Sequence, residues 1–232
     1  MKKILLFDAD GTLLDFQAAE CCALDQLMDY CQLADKEEAI HIYHQINSAL
    51  WKRIEEGTIT QSRLKIQRFE EFIEAMNLNF SAEQLADVFM NALSKGTQLI
   101  DHAYETLEIL SQKYDCHIVT NGITFIQKGR MSRCALAPFI KELFISEEMG
   151  VSKPDPHYFD IVKEKLQIQK DDLPIVIGDS LSSDMKGALL SNLKCIWYNP
   201  AHQKTDLKVD AVISDLRELV DVIEHIENKT IN

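Results

Sequence analysis

The run Ile4-Leu5-Leu6-Phe7 is apolar at every position and stops at Asp8-Ala9-Asp10-Gly11-Thr12. An unbroken apolar run this short suits a central strand of a parallel sheet, covered on both faces. Beyond it the period changes. From about Phe16 to Lys95 the apolar positions recur near helical spacing, with little strand character. Candidate helices cover Ala18 to Cys31, Glu37 to Glu55, Gln61 to Met76 and Ser81 to Leu93. Gly57 is expected to end the second, and Thr58 or Thr60 to cap the third. Ser81 with Gln84 resembles a capping box for the fourth. Further on, strands and helices alternate. Helices are expected at Leu99 to Lys113, Phe125 to Cys134, Pro156 to Leu166, Met185 to Leu190 (with Ser182 as N-cap) and Leu216 to Ile226. Strands are expected at Cys116 to Val119, Leu143 to Ile145, Ile175 to Ile177, Cys195 to Tyr198 and Ala211 to Ile213. This alternation predicts an α/β fold, a Rossmann-like doubly wound parallel sheet. The helical block then reads as an insertion, with residues 1–15 and 96–232 forming the core domain and 16–95 a helical domain.

Composition narrows the partners. The 232 residues are 46% hydrophobic and 26% charged, as in soluble globular proteins. A net charge of −13 repels nucleic-acid backbones and anionic membranes, so neither a nucleic-acid polymer nor a membrane is expected as partner. An anionic substrate must instead be held by a metal, a lysine or backbone N–H groups. The six cysteines (Cys21, Cys22, Cys31, Cys116, Cys134 and Cys195) form no C-x-x-C pair and read as reduced, packed thiols of a cytoplasmic protein. Met1-Lys2-Lys3 before an apolar run resembles a signal peptide, but Asp8 interrupts it too early.

Chemistry concentrates where expected strands end. Asp8 to Thr12, Thr120 to Gly122 and Gly178 to Asp184 each follow a strand, and Lys153-Pro154 opens a loop between two of them. Strand ends of a parallel sheet lie along one edge, so these groups can converge. An EF-hand loop begun at Asp8 would need glycine and glutamate where Leu13 and Ala19 stand. Two carboxylates one residue apart can divide labour between nucleophile and proton shuttle. A hard Mg²⁺ needs oxygen ligands, which Asp8 and Asp179 can supply. The hydroxyl and amide of Thr120-Asn121 can hold phosphate oxygens, and Lys153 can neutralise phosphate charge. Neither a Walker loop nor G-x-G-x-x-G occurs, which leaves nucleoside triphosphate and dinucleotide binding unsupported.

In this order the motifs resemble those of the haloacid dehalogenase superfamily of phosphohydrolases. That resemblance implies Asp8 as nucleophile, forming an aspartyl-phosphate. It implies Asp10 as the group that protonates the leaving oxygen and then activates water. Thr120, Asn121 and Gly122 would bind the phosphoryl group and Lys153 would anchor it. Mg²⁺ or Mn²⁺ would rest on Asp8, the Asp10 carbonyl and Asp179, with Asp184 orienting ligands at the metal site. The insertion resembles the family's C1-type helical cap, which excludes water and reads the leaving group. Leu50-Trp51, Glu56 to Thr60, Arg68-Phe69-Glu70 and Ile145 to Pro154 are similar to bacterial pyrimidine 5′-nucleotidases. This implies a small phosphomonoester substrate such as UMP, dUMP or dTMP; separately, a monomer or weak homodimer is expected. The turn Glu56 to Thr60 is the expected specificity loop, its threonine hydroxyls facing the base.

Other readings fare less well. A 2-haloacid dehalogenase resembles the same scaffold but usually lacks a carboxylate at the position of Asp10 and needs no metal. A sugar-phosphate phosphatase or mutase remains an alternative. A silent binding protein would have no use for Asp8, Asp10, Lys153 and Asp179 together. The seven histidines have no zinc spacing. Trp51, Phe69 and Phe72 are expected in the core of the insertion, and Arg53, Arg63 and Arg68 are expected to be solvated or paired.

Overall fold

The structure, a computed structural model, describes residues 3–56 and 58–231, so the helix-ending role expected of Gly57 lies outside the described residues. The chain divides into two compact units: Met1–Gln17 with Thr97–Asn232, and Ala18–Gly96. In chain order the first strand is β1 (Ile4–Phe7), followed by four helices, α1 (Phe16–Tyr30), α2 (Lys36–Glu55), α3 (Gln61–Met76) and α4 (Ala82–Leu93). Then come α5 (Ala103–Leu110), β2 (Asp115–Thr120), α6 (Thr124–Met131), β3 (Ile140–Ile145), α7 (Ser146–Met149), α8 (Pro156–Lys165) and β4 (Ile175–Gly178). The chain continues through α9 (Lys186–Leu190), β5 (Lys194–Tyr198), β6 (Ala211–Ile213) and α10 (Leu219–Ile231).

The strands form one six-stranded parallel sheet in the order β3-β2-β1-β4-β5-β6. Its apolar runs divide by parity. Leu5, Phe7, Ile175, Ile177 and Ile196 pack into the core on one face; Ile4, Leu6, Val176, Cys195 and Trp197 pack into the core on the other. Because both faces are covered, these runs are apolar throughout, and each such Leu, Ile or Phe contributes roughly 1.5–3 kcal/mol. The chain leaves β1 on one side towards β2 and β3 and returns to β4 on the other. That reversal opens a crevice at the carboxyl ends of the central strands.

Several boundaries differ from expectation. The helix expected from Leu99 begins only at Ala103, because Leu99 bridges Leu14 and His102 is left-handed with φ 66°. The strand expected at Leu143 starts at Ile140. Its first residues include the exposed Lys141 and Glu142, at an edge where burial imposes no apolar pattern. Ser180, not Ser182, caps the helical segment after β4, its Oγ accepting from Ser183 N at 3.2 Å, and a π-helical turn, Leu181–Met185, precedes α9.

Within the helical unit, side-chain caps fix the helix starts. Asp35 accepts from Glu38 N at 3.0 Å and Thr60 from Arg63 N at 3.2 Å, and Ser81 with Gln84 makes both bonds of a capping box. Tyr43, Phe69, Phe72 and Phe89 form its buried aromatic cluster. One expectation fails here, and another is met on its paired side only. Trp51 is 39% exposed rather than core. Arg68 is buried, with its guanidinium 4.8 and 5.0 Å from the Phe89 and Phe69 ring centroids. Aromatic faces replace water around its charge.

Candidate active site

Asp8 extends the β1 ladder by one bond, its N–H reaching Ile177 O at 2.8 Å, so its position is set by the sheet itself. The chain then turns at once: Leu13 N and Leu14 N both reach Ala9 O, at 3.0 and 2.8 Å. Gly11 sits in this turn with φ 84°, and a Cβ there would lie 2.7 Å from Asp179 Oδ2. The hydroxyl of Thr12 donates to Asp179 Oδ1 at 3.1 Å, and Trp197 Nε1 donates to the Asp179 carbonyl at 2.8 Å. Thr12 after β1 thus fixes the Asp179 carboxylate, and Trp197 of β5 its backbone.

Lys153 reaches the same place from the loop between α7 and α8. Its buried Nζ donates at 2.6 Å to each of Asp8 Oδ1, Asp184 Oδ1 and Val119 O. The backbone of Lys153 is tied to the end of β2 by a reciprocal pair: Asn121 Nδ2 donates to Lys153 O at 2.8 Å, and Lys153 N donates to Asn121 Oδ1 at 2.9 Å. The Asn121 amide, expected to face phosphate, is therefore engaged in holding the lysine loop. Thr120 Oγ1 accepts from Gly122 N at 3.0 Å, which leaves the hydroxyl proton for another acceptor. Asp184 accepts from Lys153 on one oxygen and from Ser180 N, at 3.1 Å, on the other.

Charge in this cluster does not balance. Asp8, Asp179 and Asp184 each bring an oxygen within 4.8 Å of the others, and Lys153 is the ammonium that touches Asp8 and Asp184. Burial, opposed by Lys153 and reinforced by the charges of Asp184 and Asp179, pushes the Asp8 carboxyl well above its ordinary value. Burial and then Asp184 raise Asp179 to about 6. Burial disfavours the ammonium of Lys153, but Asp184 and Asp8 outweigh it and hold that group above its usual value. A surplus of crowded, hard oxygen donors fits a divalent cation of the Mg²⁺ class.

The Asp10 carboxylate is held by donors from α6. Gln127 Nε2 donates to its Oδ2 at 2.5 Å, and the guanidinium NH1 of Arg130 donates to its Oδ1. Both donors are buried. Neither was picked out from the sequence, where a glutamine and an arginine three apart on a helix look like ordinary surface positions.

The family model for haloacid dehalogenase-like hydrolases matches residues 5–198. The chain belongs to the haloacid dehalogenase superfamily. It is a hydrolase of that family. The HAD-hydrolase YfnB of Bacillus subtilis is 36% identical over 85% of this chain and 84% of its own. YfnB's magnesium-bound crystal structure superposes with a TM-score of 0.87 and 34% identity, covering 96% of this chain and 98% of that one. The pyrimidine 5′-nucleotidases PynA of Streptococcus pneumoniae and YjjG of Escherichia coli are 35% and 30% identical, over 86% and 93% of this chain and 85% and 95% of their own.

Proposed function

We propose that this hydrolase removes phosphate from pyrimidine nucleoside monophosphates by way of an aspartyl-phosphate. One observation carries the chemistry: a buried carboxylate, Asp8, at the end of the central strand, held by Lys153 among two further carboxylates. In the first step an Asp8 oxygen bonds to phosphorus while the phosphorus–ester oxygen bond breaks. The ester oxygen takes the released electron pair and a proton from Asp10. In the second step a water oxygen bonds to phosphorus and gives its proton to Asp10. The bond to Asp8 breaks, returning the carboxylate and releasing phosphate. Lys153 and the Thr120 hydroxyl stabilise charge on the phosphoryl oxygens. Asp8, Asp179 and the Asp10 carbonyl would hold Mg²⁺, which supplies charge neutralisation at the phosphoryl group.

These motifs sense only the phosphoryl group, so they cannot choose among monoesters. The choice of a pyrimidine rests on the similarity to PynA and YjjG over nearly the whole chain. Selection is assigned to the helical unit, acting as a cap. Its turn threonines are engaged locally, Thr58 Oγ1 donating to Arg53 O at 2.9 Å and Thr60 capping α3. Thr60 Oγ1 keeps its hydroxyl proton, and Thr58 Oγ1 its acceptor capacity, for a base held against this turn. The test is a panel of UMP, dUMP, dTMP, AMP, GMP and hexose phosphates with Mg²⁺, with Asp8→Asn as control. The pyrimidine nucleotides should lead in kcat/KM by roughly 5- to 150-fold, and Asp8→Asn should be folded and inactive. A purine or hexose phosphate in first place would overturn the substrate; an active Asp8→Asn protein would overturn the mechanism.

A further inference from the structure

We infer that Arg130 and Gln127 are positioning residues that aim Asp10 as a proton acceptor at the water of the second step. The inference rests on the mechanism proposed above. Arg130 is fully buried and Gln127 is 3% exposed, and both sit on α6 immediately after the Thr120-Asn121-Gly122 turn. They take different oxygens of the same carboxylate, Arg130 the Oδ1 and Gln127 the Oδ2. Both partners are pure donors at these atoms, so Asp10 is held as an acceptor on both sides. Each carboxylate oxygen keeps a second lone pair, so the clamp fixes the direction of Asp10 without using up its capacity to take a proton. Burying a guanidinium and an amide demands partners, and here the partner is a carboxylate 26% exposed at its side chain. The turn is shaped to admit this arrangement: a Cβ on Gly122 would lie 2.4 Å from Gln127 Nε2.

The first step with p-nitrophenyl phosphate needs little protonation, because p-nitrophenolate leaves unaided. The second step always needs an acceptor for the water proton. Misaligning Asp10 should therefore slow dephosphorylation selectively. In Arg130→Met, kcat for p-nitrophenyl phosphate should fall about ten-fold or more. KM should fall with it, leaving kcat/KM within about two-fold. Rapid mixing should show a burst of nearly one p-nitrophenol per enzyme, with phosphate trapped on Asp8 by acid quench and detected by mass spectrometry. Gln127→Leu should show the same split more weakly, and it carries the test if Arg130→Met does not fold. Arg130→Lys should recover part of the loss. Adding Arg130→Met to Asp10→Asn should cost nothing further. A fall in kcat at constant KM without a burst is what a merely structural role predicts, and it would overturn the inference while leaving the mechanism in place. Full turnover by Asp8→Asn with no trapped phosphate in any variant would remove the mechanism itself.

Discussion

The ammonium of Lys153 stands 2.6 Å from two carboxylates and is almost sealed from solvent, yet a third carboxylate, Asp179, has no cation of its own in that cluster. Its carboxyl is lifted from 3.8 to about 6 by burial and by Asp184. A raised carboxyl holds its proton more tightly folded than unfolded. Without a cation, stability therefore falls as pH rises between about 4 and 6. A divalent cation must displace the same proton, so its apparent affinity should weaken by up to about ten-fold per pH unit below 6. Titrating Mg²⁺ at pH 7.5 and pH 5 by calorimetry checks this, and equal affinities would contradict it. At this scale the motif residues were legible because Asp, Thr and Lys close apolar runs abruptly. Arg130 and Gln127 were not, since nothing local distinguishes a buried arginine from a solvated one until its carboxylate partner is known. Arg68 is paired rather than solvated, beside Glu20 and Tyr43 and between aromatic rings.

Elements were most legible where burial leaves no choice. β1 and β4 stand out because each residue must face one core or the other, whereas β3 begins in exposed polar residues and loses its pattern. The start of α5 was invisible because a left-handed histidine, His102, halts the helical period without a glycine or proline to announce it. Caps, by contrast, are read directly. Thr60 is the N-cap of α3, so Thr60→Ala should cost about 1 kcal/mol and Thr60→Ser little. For a chain of this size that is a fall of roughly 2–4 °C in Tm, measurable by calorimetry. An unchanged Tm would mean the helical unit does not limit unfolding.

The whole molecule combines a net charge of −13 with a site proposed to bind an anion, a combination that makes a cation structurally useful as well as chemically useful. EDTA should abolish hydrolysis and Mg²⁺ restore it. Mg²⁺ at a hundred times its Kd should raise unfolding free energy by about 2.7 kcal/mol, seen in urea titration. Activity that survives exhaustive chelation would point to metal-free chemistry on this scaffold. The alternation of strands and helices disclosed the doubly wound sheet, because connectivity and handedness leave few other ways to bury such a pattern. The bond from the Trp197 indole to the Asp179 carbonyl has an optical consequence. Of the chain's two tryptophans, Trp51 is 39% exposed and Trp197 only 3%, so acrylamide should quench the first and spare the second. The remaining blue-shifted emission then comes from an indole hydrogen-bonded to the backbone of a carboxylate proposed to hold the cation. Its intensity should change as Mg²⁺ is added, and in Trp51→Phe the protein should report its own metal occupancy without any attached dye.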